Sequence, residues 1–203
     1  ENYNVNISGG GDRYNFMVSM GYQRQKGIVK FGKDTDNKYY VRAKATADLL
    51  RNLKYDINIS YEADDHDYSS GINEGQTIWE LIYKTRSWAP LRNPAGNFYV
   101  FEGFDNPAQV LEEGGINNKT SGNFTFNNQL TWKPFDGLSV IGQAVLRKYD
   151  YDKSVKNKYI HEYNWENDLN YREARKPNSA RREYSKSVYR NFTLYGEYKH
   201  TFA

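Results

Sequence analysis

The chain of 203 residues contains no cysteine. That excludes disulfides, thiolate metal sites and a cysteine nucleophile. Long apolar runs are missing too: nothing approaches the roughly 18 consecutive apolar residues a membrane-spanning helix needs, and mean hydropathy is −0.93. Charge of one sign is also lacking. The 28 Lys and Arg stand against 25 Asp and Glu, interspersed rather than blocked, which gives no electrostatic footprint for nucleic acid. Leu, Ile, Val and Phe together number 41, about one-fifth of the chain, at the edge of what builds an apolar core. Aromatic residues fill the gap. With 19 Tyr, 10 Phe and 4 Trp, the composition is unlike that of a disordered chain, which is poor in aromatics and usually strongly charged.

What is present is alternation. Tyr55, Ile57, Ile59, Tyr61 and Ala63 are separated by Asp56, Asn58, Ser60 and Glu62, the pattern of a strand with two unlike faces. The same reading holds for Tyr3, Val5 and Ile7, for the odd positions from Val41 to Leu49, and for Phe192, Leu194 and Tyr198. Less regular alternation covers 14–24, 121–133 and 138–151. The expectation is an all-β antiparallel up-and-down meander of about seven strands, near 2–8, 14–24, 38–49, 54–64, 121–133, 138–151 and 184–202. Both termini fall inside strand-like patterns, so the sequence reads as a stretch of a longer protein.

Connections alternate in length. Gly9 to Arg13, Leu50 to Leu53 and Pro134 to Gly137 carry the Gly, Asn, Asp and Pro of tight turns. The others are long: 26–37, 65–118 and 152–183, well beyond the usual connection in a compact soluble domain. Short turns at one end and long loops at the other, with Tyr14 and Tyr22 bracketing Phe16, Val18 and Met20, suit a wall of an outer-membrane β-barrel. A soluble antiparallel sheet with one buried face has a similar alternation. Within the longest loop, Ile78, Leu81 and Ile82 stand at helical spacing in 76–86. Asn106, Pro107 and Gly114-Gly115 read as N-cap, first-turn proline and stop of a second short helix.

Several elements together resemble one family. Ser8-Gly9-Gly10, Gly21-Tyr22 and Gly27-Ile28-Val29 within Tyr3 to Lys30, then PLRNPAGNFY from Pro90 to Tyr99, Asn106-Pro107 with Glu112-Glu113, and Gly137-Leu138, are similar to the SusC/RagA-type TonB-dependent outer-membrane transporters of Bacteroidetes. The first hairpin resembles the one that follows their plug domain. The resemblance implies a barrel of about 22 strands that imports glycans or peptides, driven by TonB through a plug domain absent here. It further implies a SusD-type surface lipoprotein as lid, oligosaccharide or peptide as substrate, outer-membrane lipid and lipopolysaccharide as surroundings, and no cofactor.

No catalytic constellation is legible. Asp64-Asp65 and Glu112-Glu113 are adjacent pairs whose side chains diverge, and nothing places them opposite one another. His66 lies in an oxygen-rich run without calcium-loop spacing, so neither metal nor enzymatic activity is expected. Five Asn-x-Ser/Thr sequences begin at Asn6, Asn58, Asn118, Asn123 and Asn191; four of them fall on expected strands, which favours strand composition over glycosylation. Arg172, Arg175, Lys176, Arg181 and Arg182 fall in an expected outer loop, where they suit either lipopolysaccharide phosphates or plain solvation. Because sugar rings stack on aromatics and binding concentrates in loops, the ligand or partner contacts expected are Trp79, Trp88, Tyr99, Tyr163 and Trp165. Tyr163 and Trp165, with little apolar company, are expected to be the exposed ones. A soluble carbohydrate-binding or adhesive β-domain is the rival reading.

Overall fold

The computed structural model of the protein describes residues 1–69, 78–101, 105–170 and 178–199. Its main strands are β1 (Asn2–Gly11), β2 (Tyr14–Lys26), β3 (Asp34–Leu50), β4 (Leu53–Ser69), β5 (Gly115–Phe135), β6 (Leu138–Asn157) and β9 (Ser179–Tyr198). They form one open antiparallel sheet in sequence order. Between them lie two short helices, α1 (Ile78–Lys84) and α2 (Pro107–Glu113), and a two-residue-per-strand hairpin of β7 (Glu162–Tyr163) and β8 (Leu169–Asn170). No described helix is long and apolar enough to cross a membrane.

Pairing Tyr14 with Gly11, Leu50 with Leu53 and Phe135 with Leu138 leaves two residues in each tight turn. At the third, Gly137 holds φ +89°, and a Cβ there would stand 2.6 Å from the carbonyl oxygen of Lys199, so the position requires glycine. Gly21 is opposite Tyr40, whose ring lies across the bare backbone and whose hydroxyl reaches Asn4. An aromatic ring thereby fills the gap that a strand glycine opens.

Register sorts side chains by chemistry. Following cross-strand partners from β1, one face carries Val5, Met20, Val41, Tyr61 and Phe124, and in the next row Ile7, Val18, Ala43, Ile59, Phe126 and Leu146. The opposite face carries Asn6, Ser19, Arg42, Ser60 and Thr125. Within the apolar band the polar exception is Asn128, and its amide donates to the carbonyl of Ala144 at 3.3 Å. Among the described residues nothing covers this apolar face: Val5 is 54% exposed, Phe192 79% and Leu194 78%. The buried apolar cluster lies elsewhere, where Leu81 of α1, Val110 of α2 and Ile160 meet.

The strands extend beyond the alternation that announced them. β4 continues to Ser69, β5 begins at Gly115, β6 runs to Asn157 and β9 begins at Ser179. The outer connections therefore shrink from 65–118 and 152–183 to 70–114 and 158–178, and that at 26–37 to 27–33. The added lengths are held by polar cross-strand contacts: Asn118 donates to Asp65 and Asp67, His66 contacts Asp34, and Arg182 grips Asp152. Such pairs carry no apolar period to read. Arg181 and Arg182 accordingly sit on β9 rather than in a loop, and Asn118 on β5; Arg172, Arg175 and Lys176 lie outside the described residues, as does the expected strand end at 200–202.

β1 and β9 each have one edge without a neighbour in the sheet. Unpaired strand edges template association. The 203-residue chain expressed alone is expected to self-associate in light scattering at micromolar concentration, and a monodisperse monomer would show that both edges are covered.

Candidate loop platform and the apolar band

The long connections on the side of the sheet opposite the tight turns are locked together by asparagines. Asn106, 7% exposed, caps α2: its Oδ1 accepts from the backbone of Ala108 and Gln109, and its Nδ2 donates to the carbonyls of Leu91 and Tyr99. Gln109 donates to the carbonyl of His161 at 2.5 Å. Pro107 accepts the first-turn position without loss because the missing N–H is unpaired there in any helix.

The turn Asn93 to Asn97 is the second lock. Gly96, at φ +88°, closes it through a hydrogen bond to the carbonyl of Asn93 at 2.9 Å. Asn93, 5% exposed, accepts from the backbone N–H of Asn97 and donates to the carbonyl of Asn164 and to Oδ1 of Asn167. Asn167 holds φ +70° in a turn where Asn164 accepts from the N–H of Asp168 at 2.7 Å. Tyr99 then bridges Tyr163 in parallel, and Val100 donates to the carbonyl of Tyr163.

These locks assemble aromatic rings. Trp88 meets Phe101 edge-on at 4.7 Å, Phe101 is 6.1 Å from Tyr99, and Tyr99 meets Trp165 at 5.3 Å. Trp88 and Trp165 present open surface, at 68% and 43% exposed. Of the five expected contact residues, Trp88, Tyr99 and Trp165 share this array, and Tyr163 supports it through its backbone with a half-buried side chain. Trp79 is apart on α1, where it forms an exposed face with Ile82 and Tyr83. Phe101 was missed because its sequence neighbourhood offers no period, and the asparagine locks because loop asparagines read equally as solvated turn residues. The described residues contain no group of His, Asp and Glu arranged to hold a metal ion.

The apolar band on the sheet has a geometry of its own. Its loop-side border runs through Tyr22, Tyr39, Tyr61, Phe124, Leu146 and Phe192, and in register coordinates it falls six residues over the five steps from β2 to β9. At about 3.4 Å per residue and about 4.8 Å per strand this is a slope of about 40°. The turn-side border, through Tyr14, Ala47, Leu53, Trp132, Leu138 and Tyr198, falls four residues in the same direction. Between Tyr14 and Tyr22 the band measures about 27 Å along the strand, hence about 21 Å perpendicular to a belt at that slope. Rings collect on the upper border: Tyr22 is 6.4 Å from Tyr3 and 5.0 Å from Tyr39.

A sheet of sequentially paired long strands with a slanted apolar band and loops at one end is the wall of an up-and-down barrel in architecture. No protein-family model matches the sequence, and no curated protein does. Among solved structures, a chain of the RagAB peptide importer in its "closed-closed" state matches all of this chain with a TM-score of 0.73 at 18% identity. The match covers 22% of that importer chain, so the present chain spans about a fifth of its length. The likeness is one of fold.

Removing the Asn93 side chain orphans groups buried between the two loops, at about 1–3 kcal/mol. In Asn93→Ala, hydrogen exchange at Asn97, Val100 and Asp168 is expected to accelerate about tenfold or more, with the amides of β4 and β5 unchanged; uniform exchange across loops and strands would show that the loops are not one locked unit.

Proposed function

We propose that the chain is a barrel-wall and outer-loop segment of an outer-membrane importer of the SusC/RagA, TonB-dependent kind. The observation that carries this reading is the apolar band. Its loop-side border slopes by about 40° and its turn-side border by about 30°, which together approach the tilt of about 35–45° that strands take in outer-membrane barrels, and its depth approaches their apolar belt of about 25 Å. Tyrosines at its border suit the headgroup level. A soluble adhesive sheet would need a second layer over Val5, Phe192 and Leu194, and no described element covers them.

In this role the 203 residues perform no catalysis. They supply wall, and above it a rigid loop platform whose exposed Trp88 and Trp165 offer ring surface to a passing oligopeptide or oligosaccharide. The resemblance to a RagAB importer chain supports peptide as one cargo class. The outward face of α1, with Trp79, Ile82 and Tyr83, suits a SusD-type lipoprotein lid, and TonB would act through a plug domain outside these residues.

Two tests follow, both in the intact importer. Ile57 and Asn58 are neighbours on opposite faces. Ile57→Arg is expected to cost about 2–4 kcal/mol of folding free energy in lipid vesicles, measured by urea titration, and Asn58→Arg close to nothing; equal costs would overturn the assignment of faces. Trp88→Ala combined with Trp165→Ala is expected to reduce cargo uptake several-fold while the lid still co-purifies. Loss of the lid would make the platform a partner surface, and unchanged uptake would remove both residues from the cargo path.

A further inference from the structure

Resting on the importer reading, we propose that a small recess between the end of α1 and the start of α2 seats one aliphatic side chain, of Val or Leu size, of an extended peptide. The recess is walled by Ala89, Pro90, Leu91, Tyr99, Phe101 and Pro107. Tyr99 and Phe101 belong also to the ring array, where they meet Trp165 and Trp88 edge-on. A chain resting on those exposed indoles lies next to the recess.

The first argument is the chemistry of the walls. Six of the lining residues are apolar or aromatic, and the uncharged polar ones are already engaged. The Thr85 hydroxyl donates to the carbonyl of Leu81 at 2.8 Å. Asn106 commits its Oδ1 to the backbone of Ala108 and Gln109 and its amide to the carbonyls of Leu91 and Tyr99. A guest with hydrogen bonds to make would give up its water against these groups without replacement. An alkyl guest loses nothing, and it restores the dispersion contacts that an empty recess forfeits.

The second argument is size. The cavity volume is about 50 Å³, room for about three to five heavy atoms. The side chains of Val and Leu fit that space. A pyranose ring with its hydroxyls exceeds it, and so does the ring of Phe. The walls are held to this size: Pro90 and Pro107 have fixed φ, Asn106 holds the carbonyls of Leu91 and Tyr99 at 2.9 and 3.0 Å, and the N–H of Ala89 donates to the carbonyl of Arg86 at 3.0 Å. In a preformed apolar pocket one methylene changes affinity by about tenfold or more. The third argument is charge. Arg86, exposed, and Asp105, half-buried, complete the lining. A peptide presents a carbonyl and an N–H beside every side chain, and a guanidinium donates to the first while a carboxylate accepts from the second. An acyl chain offers neither group.

The test titrates the intact importer, purified in detergent, with peptides Ala-Ser-Xaa-Ser-Ala in which Xaa is Ala, Val, Leu or Phe, followed by calorimetry. The Val and Leu peptides are expected to bind about tenfold tighter than the Ala peptide, and the Phe peptide no tighter than the Ala peptide. Leu91→Ala, which widens the recess, is expected to make the Phe peptide the tightest binder. Ala89→Leu, which fills it, is expected to bring the Val and Leu peptides down to the level of the Ala peptide. Protection of the Asn97 and Asp168 amides from hydrogen exchange checks that the loops of each variant stay locked; should one variant lose it, the wild-type series and the other variant decide. Equal affinity for all four peptides, or a wild type that favours Phe, overturns the side-chain seat and leaves the importer reading standing. A wild type that binds maltoheptaose and none of the peptides does the same. Failure of the wild type to insert into any bilayer overturns both.

Discussion

A slip of one residue between any two strands would carry Ile57 and Ile59 to the side of Asn58 and Ser60, because side chains alternate with period two. Across the band the pairings must therefore agree on parity, and the Tyr61 row and the Ile59 row do stay on a single face through β2, β3, β4 and β5; the two one-residue register shifts, between Asp48 and Leu50 and between Trp132 and Phe135, fall beside tight turns. Backbone pairing supplies the second half of the constraint. Each strand N–H and C=O needs a partner when it leaves water, which sequential antiparallel pairing provides for all but the two edges. The slanted band, the exposed apolar face and the position of the loops follow from these two requirements acting together.

Above the band the same strands continue under different chemistry. There the cross-strand partners are Asp65 with Thr120, Asp67 with Asn118 and Asp152 with Tyr184, and the stabilising contacts are hydrogen bonds and ion pairs rather than apolar burial. Exposed pairs of this kind contribute roughly 0–1 kcal/mol each, so no single one sustains the extension. It persists because the backbone ladder started below has no reason to end until the loops divert it. Ser69, the last residue of β4, marks that diversion: its hydroxyl donates to the carbonyl of Leu111 in α2 at 2.6 Å.

This division explains how much could be read from the chain itself. Where one face is apolar and the other polar, as in Tyr55 to Ala63, strand and face were both legible. Where polar groups pair with polar groups, as in Asp64 to Ser69 or Lys153 to Asn157, the period vanished and the strand ends were placed several residues short. α2 was legible from Asn106, Pro107 and Gly114 because caps follow local rules. The aromatic array was legible only as a set of exposed-ring candidates. Its assembly depends on Asn93 reaching Asn164 and Asn167, more than seventy positions along the chain, and such a pairing leaves no local trace. Trp79 resembled Trp88 as a loop tryptophan, yet it sits exposed on α1, outside the array.

The loop platform is tied to the wall at a corner beneath α2. Gly32, at φ +76°, lies so close under α2 that a Cβ would stand 2.4 Å from the Ser69 hydroxyl and 2.5 Å from the carbonyl oxygen of Leu111. The connection between β2 and β3 thereby touches the end of β4 and the helix whose cap holds Leu91 and Tyr99. From that corner the hydrogen bond from Gln109 to His161 carries the constraint into the loop between β6 and β9. Three connections that are far apart in sequence are thus referred to one wall position, and Trp88 and Trp165 inherit a fixed place above the strands instead of sampling the solvent independently. Rings held in this way lose little conformational entropy when they meet a ligand, which is the physical advantage of building a contact surface on locked loops.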